Sequence, residues 1–212
     1  IRPPVHPSVR LLVATRSAGK QAEARRLLEA AGHEVVFPDG AGVPESVAEE
    51  ALEADDTFVG NAQRKAEYFQ RRTGLPTVAD DSGLEVLSLG GAPGVRSRRW
   101  AGAAGTPAEV DAANNAELLR RLRGAPAEKR SARYRCVLVL LRSAHAAPEV
   151  FEGDCAGRIL EAPVGAGGFG YDPLFWSAEL ERSFGEATPA EKDRVSHRGR
   201  AFAALVAALG SP

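Results

Sequence analysis

Two carboxylates stand side by side in an apolar run, "VADDSGLEV", from Val78 to Val86. The flanking residues read as a strand entering a core. Adjacent negative charges there are costly unless positive partners come to meet them. Neighbouring side chains of a strand point to opposite faces, so Asp80 and Asp81 are not expected to share one partner. The rest of the chain has to supply those partners. Of its 27 basic residues only four are lysines, Lys20, Lys65, Lys129 and Lys192. Arginine serves wherever a generic positive charge will do, which marks each lysine as a candidate compact ammonium donor.

Bulk properties narrow the class. The 212 residues suffice for one large domain or two small lobes. A formal net charge of −1 argues against an obligate nucleic-acid binder. Two cysteines, Cys136 and Cys155, exclude a disulfide scaffold and fit a reducing cytoplasm. No apolar run approaches the roughly 20 residues of a membrane helix, and the N-terminus lacks the apolar core of a signal peptide. The chain starts at Ile1 and has no methionine, so the natural start is expected upstream.

Along the chain, residues 1–9 read as a flexible leader before a single domain over 10–212. "RLLVAT" reads as a buried strand, and residues 19–32 as a helix stopped by Gly32. "HEVVFP" is a second strand, and 39–55 a loop or ragged segment. Residues 56–74 form a helix capped by Asp56 or Thr57, with Phe58, Ala62, Lys65 and Phe69 on one stripe. "TVADDSGLEVLSL" reads as strand, break, strand. Residues 106–124 form a helix with Thr106 as cap and Pro107 at its first position. Residues 132–143 and 149–163 are long strands joined by a hairpin, and 196–210 a closing helix. The mixture is α/β or α+β with a long curved sheet.

Each motif has a plain and a chemical reading. "ATRSAGKQAE" is a strand running into Gly-Lys at a helix start, either a phosphate site or a strand–turn–helix with a surface lysine. Ala14 and Gln21 exclude a P-loop. "GAGGFG" matches G-x-G-x-x-G, but Tyr171-Asp172-Pro173 follows instead of a helix, so it is not a dinucleotide fingerprint. Asn61 and Lys65 share a helix face, either solvated or turned to a ligand. Lys192, His197 and Arg198 cluster before the last helix, as a capped surface or as a ligand site. "RSRRW" reads as a solvated or dimer-facing loop rather than an RNA contact.

Taken in order, "TRSAGK", "TFVGNAQRKA", "ADDSGLEV", "LGGAPGVRSR", "GGFGYDPLF" and "EKDRVSHRGRA" resemble the non-canonical purine nucleoside triphosphate pyrophosphatases, the inosine triphosphatase (Ham1-like) family. The resemblance runs from about Leu11 to Leu209. It implies an elongated α/β fold, with a mixed sheet, flanking helices and two lobes around a deep central cleft. It also implies a cytoplasmic homodimer without nucleic-acid or membrane partners. The activity implied is Mg²⁺-dependent hydrolysis of ITP, dITP and XTP to the monophosphate and pyrophosphate, which cleanses the nucleotide pool. Carried over by position, Thr15, Arg16, Ser17, Ala18, Gly19 and Lys20 hold the triphosphate, and Asn61 and Lys65 face it. Asp81 is the catalytic aspartate and a metal ligand, Ser82 lies against substrate, and Glu53 is a second metal ligand. Phe169, Gly170, Tyr171, Asp172, Lys192, His197 and Arg198 match the nucleobase pocket.

Two departures stand out. Ser17 replaces the family's usual Asn, which removes an amide donor. Ala54-Asp55 replace Thr-Gly, which leaves Asp55 or Asp56 as alternatives to Glu53. In the mechanism implied, Asp81 binds Mg²⁺ and orients or deprotonates an activated water that attacks the α-phosphorus. Lys192 and Arg198 would donate to a 6-oxo base and leave adenine unpaired. Asp80 then needs donors of its own, from backbone N–H groups in the Ser82-Gly83 break or through a link to the metal site. The alternatives are a Maf-like pyrophosphatase acting on modified pyrimidine nucleotides and a nucleotide-binding module without turnover.

Overall fold

Alternation of apolar strands with amphipathic helices builds the architecture. The computed structural model describes residues 8–210. Seven strands form one mixed sheet: β1 (Arg10–Val13), β2 (Glu34–Val36), β3 (Thr77–Val86), β4 (Ser131–Leu141), β5 (Glu149–Ile159), β6 (Phe175–Ser177) and β7 (Arg182–Ser183). Their order is β2-β1-β3-β4-β5-β6-β7. β1 runs parallel to β2 and β3, while β5–β6 and β6–β7 are antiparallel. The helices are α1 (Ala18–Ala30), α2 (Phe58–Thr73), α3 (Pro107–Arg121), α4 (Pro189–Val195) and α5 (His197–Leu209).

Two compact units divide the chain. Of the described residues, the first comprises 8–81, 136–153 and 198–210, and the second 82–135 and 154–197. In the first unit, period-2 alternation sends side chains to two cores. Leu11, Val13, Val78, Cys136, Leu138 and Leu140 pack with Ala24 and Leu28 of α1 and with Ala201, Phe202 and Leu205 of α5. Leu12, Ala14, Ala79, Val139 and Leu141 pack instead with Ala62, Ala66 and Phe69 of α2. One sheet face therefore carries α1 and α5, and the other carries α2. In the second unit, Leu84, Val86, Leu118, Leu122, Tyr134, Phe175 and Phe184 share one core.

Several expectations change. Residues 1–7 of the expected leader lie outside the described residues. Ser8 and Val9, counted with it, are tied down: Ser8 Oγ donates to Gly32 O at 2.8 Å, and Val9 N–H to His33 Nδ1 at 3.4 Å. The expected break at Ser82-Gly83 is absent, because β3 runs through it. A Cβ on Gly83 would lie 2.3 Å from Gly94 O, so the glycine permits close backbone approach rather than ending the strand. The ragged 39–55 stretch contains a 3-10 helix, Val47–Glu53. The approach to the last helix is itself a helix, α4, with a Thr188–Glu191 capping box.

Candidate active site

The two faces of β3 give the adjacent aspartates different surroundings, all within the first unit. Asp81 lies on the α2 side. Thr57 caps α2 through its hydroxyl, which fixes the phase at which Asn61 and Lys65 face the sheet. Lys65, 8% exposed, donates from Nζ to Asp81 Oδ1 at 2.9 Å and to the Asp80 carbonyl at 2.7 Å. Glu53 Oε1 lies 3.4 Å from the same ammonium. Burial pulls the Lys65 pKa down, but the charges of Asp81 and Glu53 more than offset this and hold it above its ordinary value. Asn61 accepts from Asp55 N–H at 2.9 Å, which identifies its amide NH₂ as the donor to Asp81 Oδ2 at 3.1 Å and to the Asp55 carbonyl at 3.2 Å.

Asp80 lies on the α1/α5 side and is 3% exposed. Its carboxylate accepts from Lys20 Nζ, from Arg198 Nε at 2.8 Å and from the Cys136 thiol at 3.2 Å. Burial alone would raise its pKa. The Arg198 and Lys20 charges overcome that and hold it well below the carboxylate range. Arg198 also pairs with Glu23 of α1. Burial, then the Asp80 charge, pushes the Cys136 thiol well up, so it stays a proton donor. Side chains of α1, β4 and α5 thus supply Asp80 with donors that the sequence did not assign to it.

The remaining expected triphosphate residues form the β1–α1 turn. Ser17 caps α1, accepting weakly from Lys20 N–H at 3.5 Å. Thr15 Oγ1 accepts from Ser17 N–H at 3.2 Å, and Gln21 Nε2 donates to Thr15 O at 2.9 Å, which staples the turn. Ala18 and Gly19 open the helix and present its N-terminal dipole. The Arg16 side chain departs from expectation. It turns away from the turn to Glu49, Asp39 and the Val43 carbonyl.

In the second unit, Ser82 follows Asp81 along β3 and is half-buried. Asp172 Oδ2 accepts from Phe169 N–H at 2.9 Å and from Lys192 Nζ at 2.5 Å. The Lys192 ammonium sits 4.8 Å from the Phe169 ring centroid. Gly168, at φ +72°, is required there, since a Cβ would lie 2.0 Å from Asp172 Oδ2. Gly170 is held by Asp111, which accepts its N–H at 2.8 Å, and by Asn115, which donates to its carbonyl at 2.9 Å. Tyr171 donates its hydroxyl to Ser97 O at 2.9 Å, and burial, then Asp111, raises its pKa. His197 stacks on Tyr134 at 4.5 Å, with the rings 8° apart. The structure therefore gathers Phe169, Gly170, Tyr171, Asp172, Lys192 and His197 in one unit. Arg198, grouped with them from the sequence, is in the other unit, bonded to Asp80 and Glu23.

Sequence reasoning missed Glu23, Cys136 and Glu49. Glu23 follows Lys20 by three residues on a helix, which is a detectable signal. Cys136 alternates in phase with Leu138 and Leu140, which placed it on an inward face. Among the described residues no group of three or more His, Cys, Asp and Glu side chains stands ready for a metal. Asp81 and Glu53 nevertheless present hard carboxylate oxygens to one shared cation. Such a donor set suits a divalent ion completed by phosphate oxygens and water.

Fold and site together define a mixed α/β protein with buried lysine–carboxylate pairs beside a helix N-terminus, a pattern suited to phosphoanhydrides. Comparison with known proteins makes the class specific: the Ham1 family model matches residues 11–208. A dITP/XTP pyrophosphatase of Methylococcus capsulatus is 46% identical, covering 94% of this chain and 96% of the relative. One from Frankia alni is 45% identical, covering 95% and 97%. A HAM1 protein structure from Coxiella burnetii matches with TM-score 0.81 and 36% identity, covering 95% of this chain and 98% of that one. The chain belongs to the Ham1 family.

Proposed function

We propose that this chain is a nucleoside triphosphate pyrophosphohydrolase that converts dITP, ITP and XTP to the monophosphate and pyrophosphate. The relatives named dITP/XTP pyrophosphatase support the activity. The observation that carries its chemistry is the buried Lys65–Asp81–Asn61 constellation. A water attacks the α-phosphorus, a new P–O bond forms, and the bond from the α-phosphorus to the bridging oxygen breaks. Asp81 orients the water and takes its proton at a carboxylate oxygen, with Asn61 holding Oδ2 in place. Lys65 and Lys20, with the α1 N-terminus, offset the charge that shifts onto the departing pyrophosphate. Mg²⁺ held by Asp81, Glu53 and the substrate phosphates would supply Lewis-acid stabilisation of that charge.

Base selection is assigned to the second unit. The Lys192 ammonium, aimed by Asp172 and lying over Phe169, donates to a 6-oxo acceptor and meets a donor in adenine. Arg198 acts through Asp80 and Lys20, which its guanidinium orients. The protein is read as a cytoplasmic homodimer. Among the described residues no helix is long and apolar enough to cross a membrane.

A product assay decides the reading. ITP, dITP and XTP should yield pyrophosphate and monophosphate in a Mg²⁺-dependent way, with ATP turned over at least about 100-fold less efficiently. Direct release of orthophosphate, or preference for modified pyrimidine triphosphates, would overturn it.

A further inference from the structure

Arg16 lies in the β1–α1 turn, and its side chain is committed elsewhere than the turn that carries it. Its Nε and Nη2 donate to Glu49 Oε2 and Oε1 at 3.1 and 2.8 Å, a two-pronged pairing. Nη1 reaches Asp39 Oδ1 at 2.5 Å, Nη2 also reaches the Val43 carbonyl at 2.9 Å, and the guanidinium lies 5.6 Å from the Phe69 ring centroid. Both partners of the Glu49 pair are shielded, with side chains 18% and 14% exposed. Such a pair is stronger than a solvent-exposed one.

Glu49 lies on the 3-10 segment Val47–Glu53, which has no fully buried residue. A 3-10 helix of seven residues is long for its type and weakly bonded. The stretch is also crowded with like charge: Glu45, Glu49, Glu50, Glu53, Asp55 and Asp56. Its anchors are therefore specific. Asn61 grips the Asp55 backbone at one end, Leu52 packs on the α2-side core, and Arg16 grips Glu49 at the other end. Glu53 sits between these grips, beside Lys65.

We infer that Arg16 is a positioning residue that clasps the acidic segment and thereby sets Glu53, rather than a ligand of the triphosphate. The link to catalysis rests on the reading of Glu53 as a metal-binding carboxylate.

Amide hydrogen exchange and Mn²⁺ titration by electron paramagnetic resonance, on Arg16→Ala, Arg16→Lys, Glu49→Gln, the Arg16→Ala/Glu49→Gln double variant and Glu53→Gln, test this. Arg16→Ala and Glu49→Gln should each speed exchange across residues 46–55 about 10-fold while α2 stays protected. Each should weaken Mn²⁺ binding about 10-fold. The double variant should be no worse than either single, because the two side chains act as one unit. Lysine should rescue only in part, since an ammonium lacks the fork. Unchanged exchange in both single variants overturns the clasp. A raised KM for ITP in Arg16→Ala, with Glu49→Gln lowering KM and metal binding unaltered, makes Arg16 a triphosphate ligand and overturns it too. If Glu53→Gln leaves Mn²⁺ binding intact while Arg16→Ala still speeds exchange, the clasp is upheld and the assignment of Glu53 alone falls.

Discussion

Asp80 and Asp81 are identical side chains one residue apart, and the sheet face each occupies decides its chemistry. Asp81, toward α2, meets a lysine and an amide and is the carboxylate proposed to orient the water. Asp80, toward α1 and α5, is saturated by Lys20, Arg198 and Cys136 and acts as a buried anchor. Asp81→Asn should lower kcat by about 10³-fold or more, on the scale of a lost general base, while the fold survives, as circular dichroism would show. Turnover of ITP within a few-fold of wild type would remove Asp81 from its assigned role. Lys192→Ala should erase most of the preference for ITP over ATP while the pyrophosphate-releasing chemistry survives. Paired kcat/KM values for the two nucleotides give that ratio directly. That Asn61 and Lys65 share a helix face was legible in the sequence; that they meet Asp81, for which Mg²⁺ was the expected partner, was not. Nor were the partners of Asp80. Arg198 lies 118 positions away, and only the tertiary fold brings a buried guanidinium to a buried carboxylate.

At the scale of elements, local signals worked where a cap or a period was present. Thr57, Thr106 and Pro107 mark helix starts that the structure shows. Residues 47–53 carry no apolar period, so nothing announced their 3-10 turn, and the Thr188 cap of α4 went unread beside the closing helix expected over 196–210. The Ser17 cap gives one test. Serine and asparagine are comparable N-caps, so Ser17→Asn should leave stability within about 0.5 kcal/mol. The restored amide donor should lower KM for ITP, as steady-state kinetics beside a thermal melt would show. On α3, Glu117 is gripped by Arg120 and Arg121, and their hydrogen bonds depress its pKa to about 2. A carboxylate with a lowered folded-state pKa contributes stability above its unfolded value, about 4.5. That contribution is lost as pH falls from there toward 2. The melting-temperature gap between wild type and Glu117→Gln should therefore be open at pH 7 and close across that acid window. A gap that persisted at the acid end would mean the ion pairs are not its source.

For the molecule as a whole, the decisive fact is that neither unit is a continuous piece of chain. Strand β4 enters the first unit at Cys136, and β5 leaves it after Gly153. The stretch between carries Cys136, Val137, Leu138, Val139 and Leu140, all fully buried. Cys136, Leu138 and Leu140 pack with Leu11, Val13 and Val78 and with α1 and α5 on one face, and Val139 packs with Leu12, Ala14 and Ala79 and with α2 on the other, all distant in sequence. This also explains why the boundary was illegible. A contiguous domain announces itself by a linker, whereas here the division falls inside regular elements, β3, β4, β5 and α5. A fragment spanning residues 82–197 keeps every segment of the second unit but strips those buried residues of β4 of both covering layers. At about 25 cal/mol per Å², exposing a strand that is apolar on both faces opposes a soluble monomer. Expressed alone, the fragment should aggregate or bind a hydrophobic dye strongly, and should show no cooperative melt. Replacing residues 136–153 by a short polar turn should improve its solubility, because that removes the orphaned strand ends. A monodisperse 82–197 fragment with a sharp thermal transition would show instead that the second unit can bury β4 without the sequences that cover it in the full chain.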